Sequence, residues 1–137
     1  MQVALFQPDQ AGNVGAVMRV CACMATALHI IQPCGFAMGD KQLRRSAMDY
    51  AGLADVTSHA DWDAFRAATA DTSRLILLSS KGNASLYDAA FLPGDIILMG
   101  SESSGVPDHV AEAADLVLRI PMQAAVRSLN LSVATGI

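Results

Sequence analysis

The sequence predicts an α/β fold, a mainly parallel sheet with helices on both of its faces. Short apolar segments alternate along the chain with longer segments of helical pattern. The apolar segments are continuous rather than alternating, which is typical of parallel strands buried on both faces and connected by helices. At 137 residues the chain is long enough for one sizeable core, so we expect a single domain over residues 1–137.

The expected strands and helices follow one another in order along the chain. The apolar segments predict strands at VALF (3–6), LHIIQ (28–32), LILLSS (75–80), DIILMG (95–100) and LVLRI (116–120). Helical patterns cover residues 14–27, 62–70 and 108–114. A last helix is expected at the end of the chain, where Leu129, Val133 and Ile137 have the spacing of a buried stripe. Ligands of such sheets bind beyond the C-terminal ends of strands, so the loops after residues 6, 80, 100 and 120 are the places to look for a site.

Composition narrows the class of protein. Apolar residues make up 53% of the chain and charged residues 16%, which argues against a disordered chain. No apolar stretch reaches the roughly 18 residues of a membrane span, and MQVALFQPDQ has no basic segment of the kind that begins a signal peptide. Three cysteines without an export signal indicate reduced thiols, so we expect a cytoplasmic protein.

The charge balance bears on nucleic-acid binding. A net charge of −4 argues against a protein that holds nucleic acid by bulk electrostatics. A local basic patch is still compatible with it, because Lys41, Arg44 and Arg45 are three of the nine basic residues. This cluster indicates either a solvated helix face or a surface that contacts phosphate, and composition alone favours the solvated face.

The first loop with more polar chemistry than a turn requires is QAGNVGAVMR, residues 10–19. Its glycines allow a tight turn, and Asn13 is suited to cap the helix that follows. The loop lacks GxGxxG, and GK[ST] occurs nowhere in the chain, so a dinucleotide site is weakly supported. Arg19 is the only charged residue between Asp9 and Asp40. Because a guanidinium keeps its proton, Arg19 predicts either an internal ion pair or a contact with phosphate.

The second loop is GSESSGVP, residues 100–107, directly after a predicted buried strand. Gly100 and Gly105 bracket Glu102 there. A hydrolase nucleophile in a GxSxG turn is excluded, because Ser101 stands where Ser103 would need a glycine. The simplest interpretation is a strand-to-helix turn with Glu102 near a helix N-terminus.

The third polar loop lies within IPMQAAVRSLNLSVATGI, residues 120–137. Ser128 is a plausible N-cap for the last helix. Arg127, Ser128 and Asn130 together exceed what capping needs, which indicates a binding role at the start of an otherwise apolar helix.

The remaining candidates for chemistry are weak. Cys21 and Cys23 lie two apart on a predicted helix, so they face different directions and are expected to be small core residues. The three histidines, His29, His59 and His109, are dispersed without the spacing of metal ligands, so no metal site is expected.

Taken together, NVGAVMR, GSESSGVP and IPMQAAVRSLNLSVA resemble the three ordered motifs of the SpoU branch of the SPOUT RNA methyltransferases. The similarity extends through LHIIQPCGFAMGDKQLRRSAMDY to nearly the whole chain, and it is greatest to the small enzymes that methylate the wobble ribose of tRNA. This resemblance implies S-adenosylmethionine as the methyl donor without a metal. It also implies a C-terminal trefoil knot in the sheet, and a homodimer.

The resemblance also implies roles for particular residues. The positions around the transferred methyl group and the ribose are Arg19, Asn13, Glu102, Ser128 and Asn130. The positions that contact the donor are Leu78, Gly100, Ile120, Met122, Ser128 and Leu129. Contacts with RNA are expected from Arg19, Lys41, Arg44 and Arg45.

The implied activity is methylation of a ribose 2′-hydroxyl of tRNA, at a wobble cytidine or modified uridine in the anticodon stem-loop. DNA and membranes are not expected partners. Since a guanidinium is a poor base, we expect Arg19 to orient the hydroxyl and a nearby RNA phosphate. The alternatives are a non-catalytic RNA-binding or assembly module that keeps the fold, and an unrelated nucleotide-binding α/β enzyme. Members of the family continue the last helix beyond the third motif, whereas this sequence ends at Ile137.

Overall fold

The computed structural model describes residues 1–39, 41–47, 50, 52–69 and 73–137, without the side chains of Gln42 and Arg44. The strands in these ranges are β1 (Gln2–Phe6), β2 (Leu28–Ile31), β3 (Val56–His59), β4 (Leu75–Leu78), β5 (Ala84–Ser85), β6 (Ile96–Met99) and β7 (Leu116–Arg119). The α-helices are α1 (Ala11–Cys23), α2 (Lys41–Ala47), α3 (Trp62–Thr69), α4 (Asp108–Glu112) and α5 (Leu131–Gly136).

The strands form one sheet in the order β3-β2-β1-β6-β4-β7-β5. Every neighbouring pair is parallel. In this register Met99 at the end of β6 lies between Leu5 of β1 and Leu78 of β4. The loops that follow these strands therefore leave the sheet at the same edge, side by side.

Helices cover both faces of the sheet, and each face has its own apolar core. Val3 and Leu5 of β1 point to the face where α1 packs through Val14 and Val17. Ala4 and Phe6 point to the opposite face, in the cluster that contains Phe65 of α3 and Val110 of α4. The predicted α/β fold, with a mainly parallel sheet and helices on both faces, is therefore confirmed.

Close packing of α1 against α2 depends on a glycine. A Cβ atom added to Gly15 would lie 2.5 Å from Cβ of Ser46 and 2.8 Å from the backbone nitrogen of Ala47. The two helices can approach this closely only because position 15 has no side chain. This contact fixes α2, which carries Lys41 and Arg45, beside α1, which carries Arg19.

Several local expectations are wrong. The first helix ends at Cys23 rather than residue 27, because Ala25 takes a left-handed φ of 50°. Cys21 is buried as expected, but Cys23 is exposed. The stripe at the end of the chain is also exposed, with Leu129 at 40%, Val133 at 53% and Ile137 at 55%. That helix begins only at Leu131, and Leu131 is the residue that packs into the core.

Two further expectations, the trefoil knot and the single domain over residues 1–137, stay predictions. Across the described ranges no helix is both long and apolar enough to cross a membrane.

Candidate active site

A cleft of about 660 Å³ lies at the C-terminal ends of β4, β6 and β7, against the start of α5. It forms there because the loops after neighbouring parallel strands meet at one edge of the sheet. Its lining includes all six positions expected to contact a methyl donor, namely Leu78, Gly100, Ile120, Met122, Ser128 and Leu129. Asn13, Glu102 and Asn130 also line it.

The walls of the cleft combine apolar and charged groups. Strand residues such as Leu77, Met99 and Val117 form its apolar part. The described residues that line the cleft include two cations, Lys81 and Arg127, both exposed. The structure thus adds Lys81 to the set of candidate residues. Lys81 directly follows the strand predicted at residues 75–80, and this position at a strand end is the sequence feature that could have identified it as a cleft residue.

A chain of hydrogen bonds joins the three polar loops. Asn13 donates from Nδ2 to Oε1 of Glu102 at 2.8 Å, and Asn130 donates from Nδ2 to Oδ1 of Asn13 at 2.9 Å. Asn13 is 9% exposed, so these bonds replace contacts with water that its amide loses on burial. Residues that lie 89 and 117 positions apart in sequence are thereby held as one constellation.

The caps of the first and last helices differ from the expected residues. The cap of α1 is Gln10, without a side-chain hydrogen bond, so the prediction that Asn13 caps this helix is wrong. The cap of α5 is Asn130 rather than Ser128, because Oδ1 of Asn130 accepts hydrogen bonds from the backbone of Ser132 and Val133. Asn130 therefore starts the last helix and orients Asn13 with a single side chain.

The loop after β6 turns back tightly beside the cleft. Ser101 and Gly105 form two backbone hydrogen bonds of 2.9 Å, and Gly105 takes a φ of +70°. A Cβ atom at Gly100 would lie 2.7 Å from the carbonyl carbon of Gly105, so a larger residue there would push the loop open. The two glycines set the position from which Glu102 reaches Asn13. Glu102 thus lies near a helix N-terminus as expected, and the helix is α1.

Arg19 lies apart from this constellation in the described structure. It is exposed on α1, about 9 Å further along the helix axis than Asn13, and it does not line the cleft. Its guanidinium lies 5.2 Å from the centroid of the Tyr50 ring, within the range of a cation–π contact. The Tyr50 ring therefore holds the Arg19 guanidinium at the side of α1.

The basic cluster of α2 is described in part. Lys41 and Arg45 are exposed and four residues apart, so they lie on one face of the helix. The side chain of Arg44 lies outside the described part of the chain. Exposure of this face agrees with either interpretation of the cluster, a solvated surface or a phosphate contact.

Two histidines that are far apart in sequence are neighbours in the sheet. His59 lies on β3 beside β2, and its Nε2 is 3.0 Å from Nδ1 of His29. Nε2 of His29 is 2.6 Å from Oε1 of Gln2, which can only accept, so His29 must donate there. Burial lowers the pKa of both imidazoles, and at His29 the neighbouring His59 lowers it further. The expectation that the histidines are dispersed is wrong for this pair.

In the part of the chain that the structure describes, no group of three or more histidine, cysteine or acidic side chains is arranged to hold a metal ion. The pair of histidines is too small a set for a structural zinc site, which takes four ligands.

The fold and the cleft together define an α/β protein with a candidate ligand site built from the loops after several parallel strands. Residues 1–137 match the SpoU rRNA Methylase family. The chain belongs to this family.

Individual relatives are similar over almost the whole chain. A tRNA (cytidine(34)-2′-O)-methyltransferase of Beijerinckia indica is 43% identical over 98% of this chain and 84% of its own length. A solved structure, described as giving structural insights into the 2-OH methylation of C/U34 on tRNA, matches with a TM-score of 0.95 and 40% identity. That match covers 98% of this chain and 88% of the other.

A more distant structure shares the fold. The SpoU methyltransferase AviRb from Streptomyces viridochromogenes, solved in complex with AdoMet, matches with a TM-score of 0.91 and 18% identity. The match covers 99% of this chain and 54% of the AviRb chain. At this identity the likeness concerns the arrangement of strands and helices.

Proposed function

We propose that this protein transfers a methyl group from S-adenosylmethionine to the ribose 2′-hydroxyl of a tRNA, at a wobble cytidine or modified uridine of the anticodon stem-loop. The observation that carries the proposal is the hydrogen-bonded constellation of Glu102, Asn13 and Asn130 at the side of the strand-end cleft. The names of the relatives support the substrate and the position on it.

The cleft suits the proposed donor in size and in chemistry. Its volume of about 660 Å³ falls within the usual range for small-molecule sites. The apolar part suits the adenine ring and the methylene groups of the donor, while Lys81 and Arg127 are cations suited to pair with its carboxylate. The residues we assign to the donor are Leu78, Gly100, Ile120, Met122, Ser128 and Leu129.

When bound, the donor would supply a methyl group on a positively charged sulfur. The C–S bond would break with its electron pair kept by sulfur, the ribose oxygen would form the new C–O bond, and the hydroxyl proton would pass to water. The protein has to align the hydroxyl with that methyl group. Alignment in a preformed site can lower a barrier by roughly 7 to 11 kcal/mol at best. Both polar atoms of the Asn13 side chain, Nδ2 and Oδ1, are held by hydrogen bonds, and this gives the rigidity that such alignment requires.

Five polar residues have proposed roles in the transfer: Asn13, Glu102, Ser128 and Asn130 line the cleft, and Arg19 lies outside it. Glu102 orients Asn13, and Asn130 and Ser128 are placed to contact the ribose or the methyl group. Arg19 orients the 2′-hydroxyl and a nearby RNA phosphate, because a guanidinium binds phosphate well and does not readily give up its proton. Arg19 lies outside the cleft of the described protomer, so its contact with the ribose requires the bound RNA or a second subunit.

The RNA-contacting surface we propose consists of Arg19, Lys41, Arg44 and Arg45. A chain with a net charge of −4 can bind RNA only through such a local basic patch. A small patch of this kind favours a structured stem-loop over an extended duplex or DNA as the ligand. The exposed apolar residues Leu129, Val133 and Ile137 favour a homodimer in which a second copy covers the end of the chain. The three free cysteines agree with a cytoplasmic location.

The proposal is tested by methyl transfer from radiolabelled S-adenosylmethionine to tRNA taken from cells that lack the protein. We expect label in the tRNA fraction, at a 2′-O-methylated wobble nucleotide, and loss of transfer in Arg19→Ala with donor binding retained. Label on a base rather than a ribose would contradict the proposal. Absence of both transfer and calorimetric donor binding at millimolar concentration would favour a non-catalytic RNA-binding module.

A further inference from the structure

We infer that Asp9, through a reciprocal contact with the loop after β6, is a positioning residue for Glu102. The inference rests on the proposed function, because it assigns Asp9 a part in the rate of methyl transfer. Asp9 lies outside the lining of the cleft, so its action is indirect.

Asp9 and the loop hold each other through two hydrogen bonds of opposite direction. The backbone nitrogen of Asp9 donates to Oε2 of Glu102 at 2.8 Å. The backbone nitrogen of Ser103 donates to Oδ2 of Asp9 at 2.9 Å. Two bonds between the same pair of segments fix both their separation and their relative orientation, which a single bond would leave free to rotate. Hydrogen bonds to a carboxylate are also stronger than neutral ones.

The backbone of Pro8 and Asp9 is in turn held in place by contacts with Gly35. Gly35 donates from its backbone nitrogen to the carbonyl of Pro8 at 3.0 Å. A Cβ atom at Gly35 would lie 2.8 Å from the carbonyl oxygen of Asp9, so the two backbones are in direct contact. Gln7 takes a left-handed φ of 44°, which turns the chain out of β1 toward this contact. Asp9 is therefore a fixed point for the loop after β6.

The consequence concerns the geometry of the constellation. Glu102 accepts from Asn13 with one oxygen and from Asp9 with the other, so a shift of the loop moves both bonds together. Asn13 in turn accepts from Asn130. Loosening the tie between Asp9 and Ser103 should therefore misalign the groups we assign to the ribose while the apolar part of the donor cleft stays in place.

The test uses three variants of the full chain under single-turnover conditions, so that slow transfer remains measurable. Asp9→Ala removes the acceptor for Ser103 but keeps the backbone donor to Glu102, so we expect the rate of transfer to fall about tenfold with the affinity for S-adenosylmethionine nearly unchanged. Asp9→Asn keeps a side-chain oxygen and should restore most of the rate. Glu112→Ala, an exposed acidic residue on α4, is the matched control and should transfer at the wild-type rate.

A double variant of Asp9 and Glu102 shows whether Asp9 acts on the transfer rate by positioning Glu102 or by destabilising the whole protein. If Asp9 acts through Glu102, adding Asp9→Ala to Glu102→Ala should slow transfer no further. The inference would be overturned if the two substitutions each slowed methyl transfer independently, so that their fold-reductions in rate multiplied in the double variant. It would also be overturned if Asp9→Ala transferred methyl groups at the wild-type rate. Thermal unfolding of each variant shows whether it remains folded.

Hydrogen exchange gives a readout that does not depend on activity. We expect the amide of Ser103 to exchange faster in Asp9→Ala than in the wild-type protein, because it loses its acceptor. If the wild-type protein transfers no methyl group, the proposed function fails and the contact is judged by exchange alone. Equal protection of this amide in both proteins would then overturn the inference.

Discussion

Asn130 donates a hydrogen bond of 2.9 Å to Asn13, joining the start of the last helix to the first turn of the first helix. The same Asn130 side chain accepts from the backbone of Ser132 at 2.9 Å and so caps α5. One amide therefore contributes its oxygen to local structure and its nitrogen to the candidate active site. The candidate active site therefore needs both α1, which carries Asn13, and the start of α5, which carries Asn130.

The two functions of Asn130 can be separated by substitution. Asn130→Asp keeps a capping oxygen but loses the donor to Asn13, so we expect nearly normal stability and a large loss of methyl transfer. Asn130→Ala loses both, and the missing cap should cost about 1 kcal/mol of unfolding free energy. Urea unfolding and single-turnover transfer measure the two effects. Equal activity of Asn130→Asp and the wild-type protein would contradict the role of this donor.

Tyr50 offers a second substitution with a clear expectation. Its ring holds the guanidinium of Arg19 at 5.2 Å, and an exposed cation–π contact is worth about 0.5 to 1 kcal/mol. We expect Tyr50→Leu to lower kcat/KM for tRNA roughly two- to fivefold, the change that this energy corresponds to. Tyr50→Phe keeps the ring and serves as the control. A phenylalanine variant as impaired as the leucine variant would assign the effect to the hydroxyl instead.

The sequence was sufficient to locate the cleft. Continuous apolar runs indicate parallel strands whose ends lie at one edge, so the loops after residues 80, 100 and 120 are expected to meet there. The family resemblance supplies the individual positions Leu78, Gly100 and Ile120, and all three line the cleft. Polar strands were harder to recognise. β3 reads VTSH with two exposed residues at its centre, because an edge strand is not buried on both faces.

Contacts between distant segments were beyond prediction from spacing. His29 and His59 meet only because β2 and β3 are neighbours, and the bond from Ser103 to Asp9 depends on the order β1-β6 in the sheet. The spacing of Leu129 and Val133 predicts a buried helical stripe, but Leu129 precedes the helix, which begins at Leu131, and both side chains are exposed.

The pair of His59, which is buried, and His29, which is half-buried, predicts how stability depends on pH. Burial lowers the pKa of His29 and His59 below the ordinary value of about 6.5, so the folded state favours the neutral forms. The unfolded chain takes up protons first as the pH falls. The contribution of the pair is therefore fully present above about pH 6.5 and is lost as the pH falls toward the lower folded values.

The matching measurement is urea unfolding at pH 8, 6.5 and 5.5. We expect the midpoint to fall between pH 6.5 and 5.5 in the wild-type protein, and to fall less in His29→Gln, which cannot titrate. His109→Gln is the control, because His109 is exposed on α4 and should leave the pH profile unchanged. An identical pH profile in His29→Gln and the wild-type protein would exclude the pair as the cause.

Gly100 links the fold to donor binding most directly. A Cβ atom there would lie 2.7 Å from the carbonyl carbon of Gly105 and 2.8 Å from its Cα, and backbone atoms cannot yield as a flexible side chain would. Gly100→Ala should therefore force the loop after β6 away from Asn13 and cost about 1 to 3 kcal/mol of unfolding free energy.

We also expect Gly100→Ala to weaken the binding of S-adenosylmethionine in calorimetry, since Gly100 lines the cleft. Gly136→Ala is the matched control, because no atom lies within 4 Å of the added Cβ, and it should change stability by no more than about 0.5 kcal/mol. If Gly100→Ala kept both its stability and its donor affinity, the close approach of Gly100 to Gly105 would not be what shapes the cleft. If only donor affinity fell, the added methyl group would be acting inside the cleft rather than on the loop.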